Sequence, residues 1–144
     1  MNISGKYYPW FGTAIFIAIV LAVAYYIGTR TGKAKQENKE ENILNKEIQK
    51  GELSFDQTTY VSLSDKLETA MFGYTDDENA VYSVFTKLRT KSDVLQLIKT
   101  FGNRRIIWTV GGSNLNQWLN NRLDVSEIAK VNDILSRNSI DYEF

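Results

Sequence analysis

The pattern of apolar and polar positions divides the chain into regions of different character. Residues 7–29 carry no charge, and residues 14–24 at their centre are purely apolar. Residues 33–50 are polar and rich in helix-forming residue types. From Tyr60 onward, apolar residues recur with the 3.6-residue period of amphipathic helices. The predicted fold class is therefore all-α, with four segments: a tail (1–6), a transmembrane helix (7–29), a helical stalk and connector (30–59) and a helical domain (60–144).

The uncharged segment 7–29 has the length and polarity of a membrane-spanning helix. About 20 residues at ~1.5 Å each cover roughly 30 Å, which is the thickness of the bilayer hydrocarbon. Aromatic rings favour the headgroup level, and aromatic pairs stand at both ends of the segment, with basic residues after it. The predicted membrane-interface residues are Tyr7, Tyr8, Trp10, Phe11, Tyr25, Tyr26, Arg30, Lys33 and Lys35.

The charges on either side of this segment indicate its orientation. Lys6 stands alone before it, whereas Arg30, Lys33 and Lys35 follow it. Basic flanks stay on the cytoplasmic side, so the C-terminal domain is predicted to face the cytoplasm or the interior of a membrane-bound particle. Two alternatives stay open. The segment could be a buried helix of a soluble core, or a signal peptide cleaved after residues 22–24 (Ala-Val-Ala), which would make the domain a secreted one.

The stalk, residues 33–50, contains no proline or glycine and is predicted to be helical. Ile43, Leu44 and Ile48 form a thin apolar stripe along it. The favoured interpretation is a solvated spacer between membrane and domain, and the alternative is a short self-associating coil. Gly51 is predicted to end the helix, and a brief connector, residues 52–59, follows.

Five amphipathic helices are predicted in the C-terminal domain. The first begins at Tyr60 and ends at Gly73, and the second begins at Thr75 or Asp76. The remaining three start near residues 92, 114 and 125. The inward-facing residues, helix by helix, are predicted to be Leu63, Leu67, Ala70 and Met71; Val81, Val84, Phe85 and Leu88; Val94, Leu97, Ile98 and Phe101; Leu115, Trp118, Leu119 and Leu123; and Val125, Ile128, Val131 and Leu135.

Several residues have the chemistry of helix ends. Thr75 with Glu78, and Asp124 with Glu127, have the spacing of a capping box, in which each side chain bonds the other residue's backbone N–H. Gly102 is predicted to stop the third helix and Asn138 to end the fifth. The tail, residues 140–144, alternates apolar and polar positions, which favours an extended strip lying on the domain.

Composition excludes several functions. The chain has 17 basic and 17 acidic residues, and this zero net charge argues against nucleic acid as a partner. Cysteine and histidine are both absent, so disulfides, Cys/His zinc sites and thiol or imidazole catalysis are excluded. An enzyme would have to use carboxylates, lysine, tyrosine or hydroxyl groups.

Residues 70–78 read Ala-Met-Phe-Gly-Tyr-Thr-Asp-Asp-Glu, and an apolar helical run follows them. This stretch resembles the first loop of an annexin repeat, A-M-x-G-x-G-T-D-E, and the later helices follow the family order. The resemblance covers residues 62–138, one repeat's worth, and implies a compact five-helix domain. Annexins themselves carry several repeats and no membrane-spanning helix, so the chain is at most annexin-like.

The resemblance also implies a calcium site made of loop carbonyls and a distant bidentate acid. Met71, Gly73 and Asp77 are the candidate loop ligands at matching positions. The second loop glycine of the family is Thr75 here, and the position of the distant acid falls on Arg122. A cation at a ligand position repels calcium. We therefore expect no metal and no other cofactor, and we interpret residues 75–78 as an acidic helix N-terminus.

The segment 103–112 (NRRIIWTVGG) is about six residues longer than the annexin-like pattern. Its β-branched residues and double glycine predict a short strand or a hairpin-like loop. One interpretation is a connection folded onto the core. The other is a loop that touches a membrane or a partner, with arginines meeting phosphates and a tryptophan at the interface. The candidate contact residues are Arg104, Arg105, Ile107 and Trp108.

The leading functional hypothesis is a membrane-anchored, non-enzymatic interaction or structural protein. Its expected partners are the lipid bilayer and a protein, either a capsid protein or another membrane protein. One alternative is a membrane component of a lipid-containing bacteriophage virion. The other is a membrane-tethered cell-wall hydrolase that uses paired carboxylates, with candidate acids Glu68, Asp76, Asp77 and Glu78.

Overall fold

The computed structural model describes residue 35 and residues 38–49, 52–105 and 112–144. The predicted membrane segment 7–29, the interface residues Arg30 and Lys33, and the hairpin residues Ile107 and Trp108 lie outside these ranges. Within them, no helix combines the length and the apolar character needed to cross a bilayer. The chain divides into two units, Met1–Glu41 and Asn42–Phe144, and the second carries the domain.

The described residues are mostly helical, which confirms the all-α class. Helix α1 covers residues 38–47. Two short strands lie between the fourth and fifth helices and pair antiparallel, with Arg104 opposite Ser113. The remaining elements are α2 (Gln57–Met71), α3 (Glu78–Phe85), α4 (Lys91–Phe101), β1 (Arg104–Arg105), β2 (Gly112–Ser113), α5 (Leu115–Arg122) and α6 (Val125–Arg137).

One hydrophobic core lies between the helices: α2 packs against α3 and α4, and α3 packs against α6. Every inward residue predicted for the first four helices of the domain is buried. In α6, Val131 and Leu135 are buried and Ile128 is half-buried, but Val125 is 86% exposed, so that prediction is wrong. Val125 is the first residue after the N-cap Asp124. Side chains tilt toward the N-terminus of a helix, so the side chain of this first residue extends beyond the turns that pack against the core.

The helix starts differ from the predicted ones. Helix α2 begins at Gln57 rather than Tyr60, because the Asp56 carboxylate accepts a hydrogen bond from the Thr59 N–H at 2.8 Å. Helix α3 begins at Glu78, and its N-cap is Asp77, which accepts from the Ala80 N–H at 2.9 Å. The predicted start at Thr75 or Asp76, with Thr75 as the cap, is wrong.

The other helix ends agree with the sequence more closely. The capping box of Asp124 and Glu127 is confirmed, and α6 ends at the C-cap Asn138 as predicted. Helix α4 ends at Gly102, whose φ of 57° lies in the left-handed region that favours glycine. A capping box of Thr90 and Asp93, which the sequence analysis did not identify, begins α4.

Both ends of the second unit lie on the domain. On the N-terminal side, Leu44 packs against the core and Asn45 accepts a hydrogen bond from the Lys99 ammonium at 2.6 Å. The compact unit thus begins at Asn42, inside the predicted stalk. In the tail 140–144, burial alternates as predicted, and the Phe144 N–H donates to the Asn132 side-chain oxygen at 2.9 Å.

Candidate functional site

The loop between α2 and α3, the predicted calcium loop, is closed by an internal cation. The Arg122 side chain reaches it from the end of α5, where Nη2 donates to the Gly73 carbonyl. Its Nε donates to Asp76 Oδ1 at 2.8 Å, and Nη2 lies 2.7 Å from the same oxygen. Both partners of this ion pair are largely buried, with side-chain exposures of 14% for Arg122 and 16% for Asp76.

This arrangement engages two oxygen groups of the loop within the protein. The Gly73 carbonyl and the Asp76 carboxylate both accept hydrogen bonds from the guanidinium. Met71 is fully buried, and Asp77 caps α3. Across the described ranges, no three acidic side chains are placed to hold a metal ion together. The resemblance to an annexin repeat and the expectation of no cofactor stay predictions.

The four acids considered for a hydrolase are also engaged locally. Glu68 pairs with the Arg104 guanidinium, and Asp76 pairs with Arg122. Asp77 and Glu78 lie at the N-terminus of α3, where the helix dipole favours negative charge. A structural role, as ion-pair partner, helix cap or acid in the first turn, therefore accounts for each of the four acids.

Arg104 fixes the base of the β1–β2 hairpin to helix α2. Its guanidinium pairs with Asp65 at 3.0 Å and with Glu68, and it donates to the Ser64 hydroxyl at 2.7 Å. The same group lies 4.8 Å from the centre of the Phe101 ring, in a cation–π arrangement. The side chain is 17% exposed, so it acts inside the domain. Of the two candidate arginines, it is Arg105 that is exposed.

The hairpin base is held tightly on its other side as well. The Trp118 indole N–H, from the core face of α5, donates to the Arg104 carbonyl at 3.3 Å. At Gly112, an added Cβ would approach the Asn103 Cβ to 3.0 Å, which explains the glycine at this strand position. In the sequence, residues 106–111 link these two strands, and Arg105 is the last residue of β1.

A buried carboxylate, Asp93 in the first turn of α4, was missed by the sequence analysis. The side chain is fully buried. One oxygen accepts from the Ser54 N–H at 2.8 Å and from the Tyr60 hydroxyl; the other accepts from the Arg89 N–H at 2.9 Å and the Thr90 N–H at 3.2 Å. Asp93 thereby joins the segment before α2, α2 itself and the turn between α3 and α4.

The surroundings of Asp93 favour its ionised form. Burial opposes ionisation, but the hydrogen bonds from Ser54, Tyr60 and Arg89 outweigh it and hold the pKa of the carboxyl below its ordinary 3.8. Burial, and next the hydrogen bond to Asp93, raises the pKa of the Tyr60 hydroxyl. Tyr60 therefore stays a neutral donor to a charged acceptor at physiological pH.

Comparison of the chain with protein-family models, with curated proteins and with solved structures finds no match. Any function must therefore be argued from the sequence pattern and from the geometry described above.

Proposed function

We propose that the protein is a membrane-anchored, non-enzymatic interaction module that presents its helical domain to a protein partner or a membrane surface. The observation that carries this proposal is the uncharged segment 7–29, which matches the hydrocarbon thickness of a bilayer and has aromatic residues at both ends. The orientation rule puts the domain on the cytoplasmic or particle-interior side.

The hairpin supports an interaction role for the domain. Its base is fixed to the domain by Arg104 and Trp118. Exposed Arg105 stands beside Ile107 and Trp108 in the sequence. Arginine and tryptophan are the residue types most enriched at the energetic centres of interfaces. The hairpin is our choice for the contact surface, with Arg105 rather than Arg104 as its cation.

The membrane anchor is tested by extraction of the intact protein from membranes of expressing cells. We expect alkaline carbonate to leave the chain in the membrane fraction and neutral detergent to release it. Ile17→Arg places a charge in the middle of the segment, where insertion is costly, and should move most of the chain out of the membrane fraction. Release of the unaltered chain by carbonate would contradict the anchor.

The interaction role is tested by photo-crosslinking in the intact cell. A photoreactive amino acid at position 105 is compared with one at Lys130, an exposed position on α6. We expect position 105 to give one defined protein or lipid adduct that is missing from position 130. Equal adduct patterns from the two positions would rule out the hairpin as a specific contact.

A further inference from the structure

We propose that an open cleft beside the turn between α3 and α4 binds a phosphate ester through Lys87 and Arg89. The cleft has a volume of about 340 Å³ and is lined by Phe55, Thr86, Lys87, Leu88, Arg89 and Asn138. None of these lining residues belongs to the hairpin segment or to the predicted anchor segment, so the proposal goes beyond the proposed function.

The backbone of the turn is fixed from both sides. The Asn138 side-chain amide donates to the Leu88 carbonyl at 2.9 Å and to the Thr86 carbonyl at 3.3 Å. On the other side, Asp93 accepts from the Arg89 N–H. Leu88 is 1% exposed and points into the core, so Lys87 and Arg89 on either side of it are both turned outward. The two cations are thus held on one rigid turn.

The charge of the cleft is positive. Its six lining residues include two cations and no acid. Among the described residues, no carboxylate lies within salt-bridge distance of Lys87 or Arg89. Two acids that contact the Arg89–Thr90 backbone or the Thr90 hydroxyl have other partners: Asp93 is buried in its hydrogen-bond cluster, and the Glu52 carboxylate accepts from the Ser92 hydroxyl at 3.3 Å.

These groups suit a phosphate ester. An arginine fork and a lysine ammonium together match the charge and the several oxygens of a phosphate group. The Phe55 ring, with the Arg89 guanidinium 5.8 Å from its centre, offers an apolar wall for the organic part of the ester. A soluble phosphate ester and a lipid headgroup share this chemistry.

The test uses the full chain in uncharged maltoside micelles and follows the midpoint of thermal unfolding. A ligand that binds only the folded protein raises this midpoint in a saturable way. One arm adds glycerol 3-phosphate, and the other adds phosphatidylglycerol to the micelles. We expect a saturable rise in at least one arm, and the arm that responds identifies the source of the phosphate.

Three variants assign the binding to the cleft. K87Q/R89Q should abolish the rise, and R89K, which keeps the charge but loses the fork, should weaken half-saturation about tenfold. K91Q removes an exposed cation four residues from Lys87 that does not line the cleft, and it should leave the rise unchanged. The proposal is overturned if the midpoint rises in neither arm, or if sodium chloride of matched ionic strength raises it as much as the ligand does. It is also overturned if K87Q/R89Q shows the same rise as the unaltered chain, or if K91Q loses the rise as K87Q/R89Q does.

Discussion

Asp93 and Arg122 are both charged side chains held largely away from water, but they are stabilised in different ways. Among the described residues, no cation forms an ion pair with Asp93, which accepts hydrogen bonds from the neutral donors of Ser54, Tyr60 and the Arg89–Thr90 backbone. Arg122 instead meets an opposite charge, Asp76, together with one carbonyl. The first centre joins three segments of the domain, and the second joins a loop to the end of one helix.

This difference determines what a substitution leaves behind. Loss of Asp93 leaves the buried Tyr60 hydroxyl and three part-buried N–H groups without an acceptor, and a fully buried group of this kind costs about 1–3 kcal/mol. Loss of Arg122 leaves only one largely buried acid, Asp76, and the carbonyl of the exposed Gly73 without their partner. Asp93 should therefore contribute more to stability, although it makes no ion pair.

The largest predicted effect is that of Asp93→Ala, which should lower the free energy of unfolding by about 3–5 kcal/mol. Urea denaturation of the full chain in neutral detergent measures it. The matched control is Asp133→Ala, because Asp133 is an exposed acid paired with Arg137 one helical turn away. Its effect should stay under about 0.5 kcal/mol. Similar losses for the two variants would show that the Asp93 cluster adds nothing beyond a surface pair.

Protonation of Asp93 at low pH should destabilise the domain in the same way as Asp93→Ala, but less strongly. The pKa of Asp93 is lowered in the folded protein, so the unfolded chain takes up its proton first as the pH falls. The stability contributed by Asp93 is thus present above about pH 4 and lost as the pH falls through the folded pKa. Asp56 and Asp124, whose pKa values are also lowered, act in the same direction.

The variant Asp93→Asn separates these contributions. We expect the free energy of unfolding of the unaltered chain to fall between pH 4 and pH 2 more steeply than that of Asp93→Asn, which keeps the lowered pKa values of Asp56 and Asp124 but lacks the Asp93 carboxyl. Parallel pH profiles for the two proteins would show that another group causes the acid sensitivity.

Arg122→Gln should have the next largest effect, a loss of about 1–3 kcal/mol in the free energy of unfolding. The amide keeps a donor for the Gly73 carbonyl but leaves the Asp76 charge unpaired. Arg137→Gln, which removes an exposed cation, is the control and should cost under about 0.5 kcal/mol. A larger loss for Arg122→Gln than for Asp93→Ala would reverse the order of the two centres.

Arg122→Glu tests whether the Arg122 guanidinium takes the place of a bound cation in the loop between α2 and α3. The new carboxylate would face Asp76 and the Gly73 carbonyl, an arrangement of oxygens suited to calcium. We expect millimolar calcium, but not magnesium, to raise the unfolding midpoint of this variant and to leave the unaltered chain unchanged. A calcium response of the unaltered chain would contradict the expectation drawn from Thr75 and Arg122.

Asp93 and Arg122 also show which features of the fold can be predicted from the sequence. The helix faces could be predicted because the 3.6-residue period is a local property of the sequence. The capping box of Asp124 and Glu127 could be predicted for the same reason. At the start of α3, Thr75, Asp76 and Asp77 are all of residue types that cap helices, and the sequence analysis chose Thr75. The choice was made by Arg122, which lies 46 residues from Asp76 and engages it, leaving Asp77 to cap the helix.

Only part of the Asp93 cluster could have been predicted from the sequence. Thr90 and Asp93 have the spacing of a capping box, so that local part could have been identified. Its contacts with Ser54 and Tyr60 span 39 and 33 residues and depend on the packing of α2 against α4. Arg104 was predicted as a contact residue, and its internal role was missed for the same reason, since Glu68 lies 36 residues away from it.

Tyr60→Phe gives the smallest predicted effect and measures one donor of the Asp93 cluster by itself. The ring stays buried and keeps its edge-on contact with Phe55, so only the hydroxyl is lost, and the free energy of unfolding should fall by about 0.5–1.5 kcal/mol. In the Asp93→Asn background the same substitution should cost less, because the amide is a weaker acceptor than a carboxylate. This double-mutant cycle isolates the pair. Strict additivity would mean that the hydroxyl stabilises the fold independently of the charge, and the domain would then depend on Asp93 through backbone donors alone.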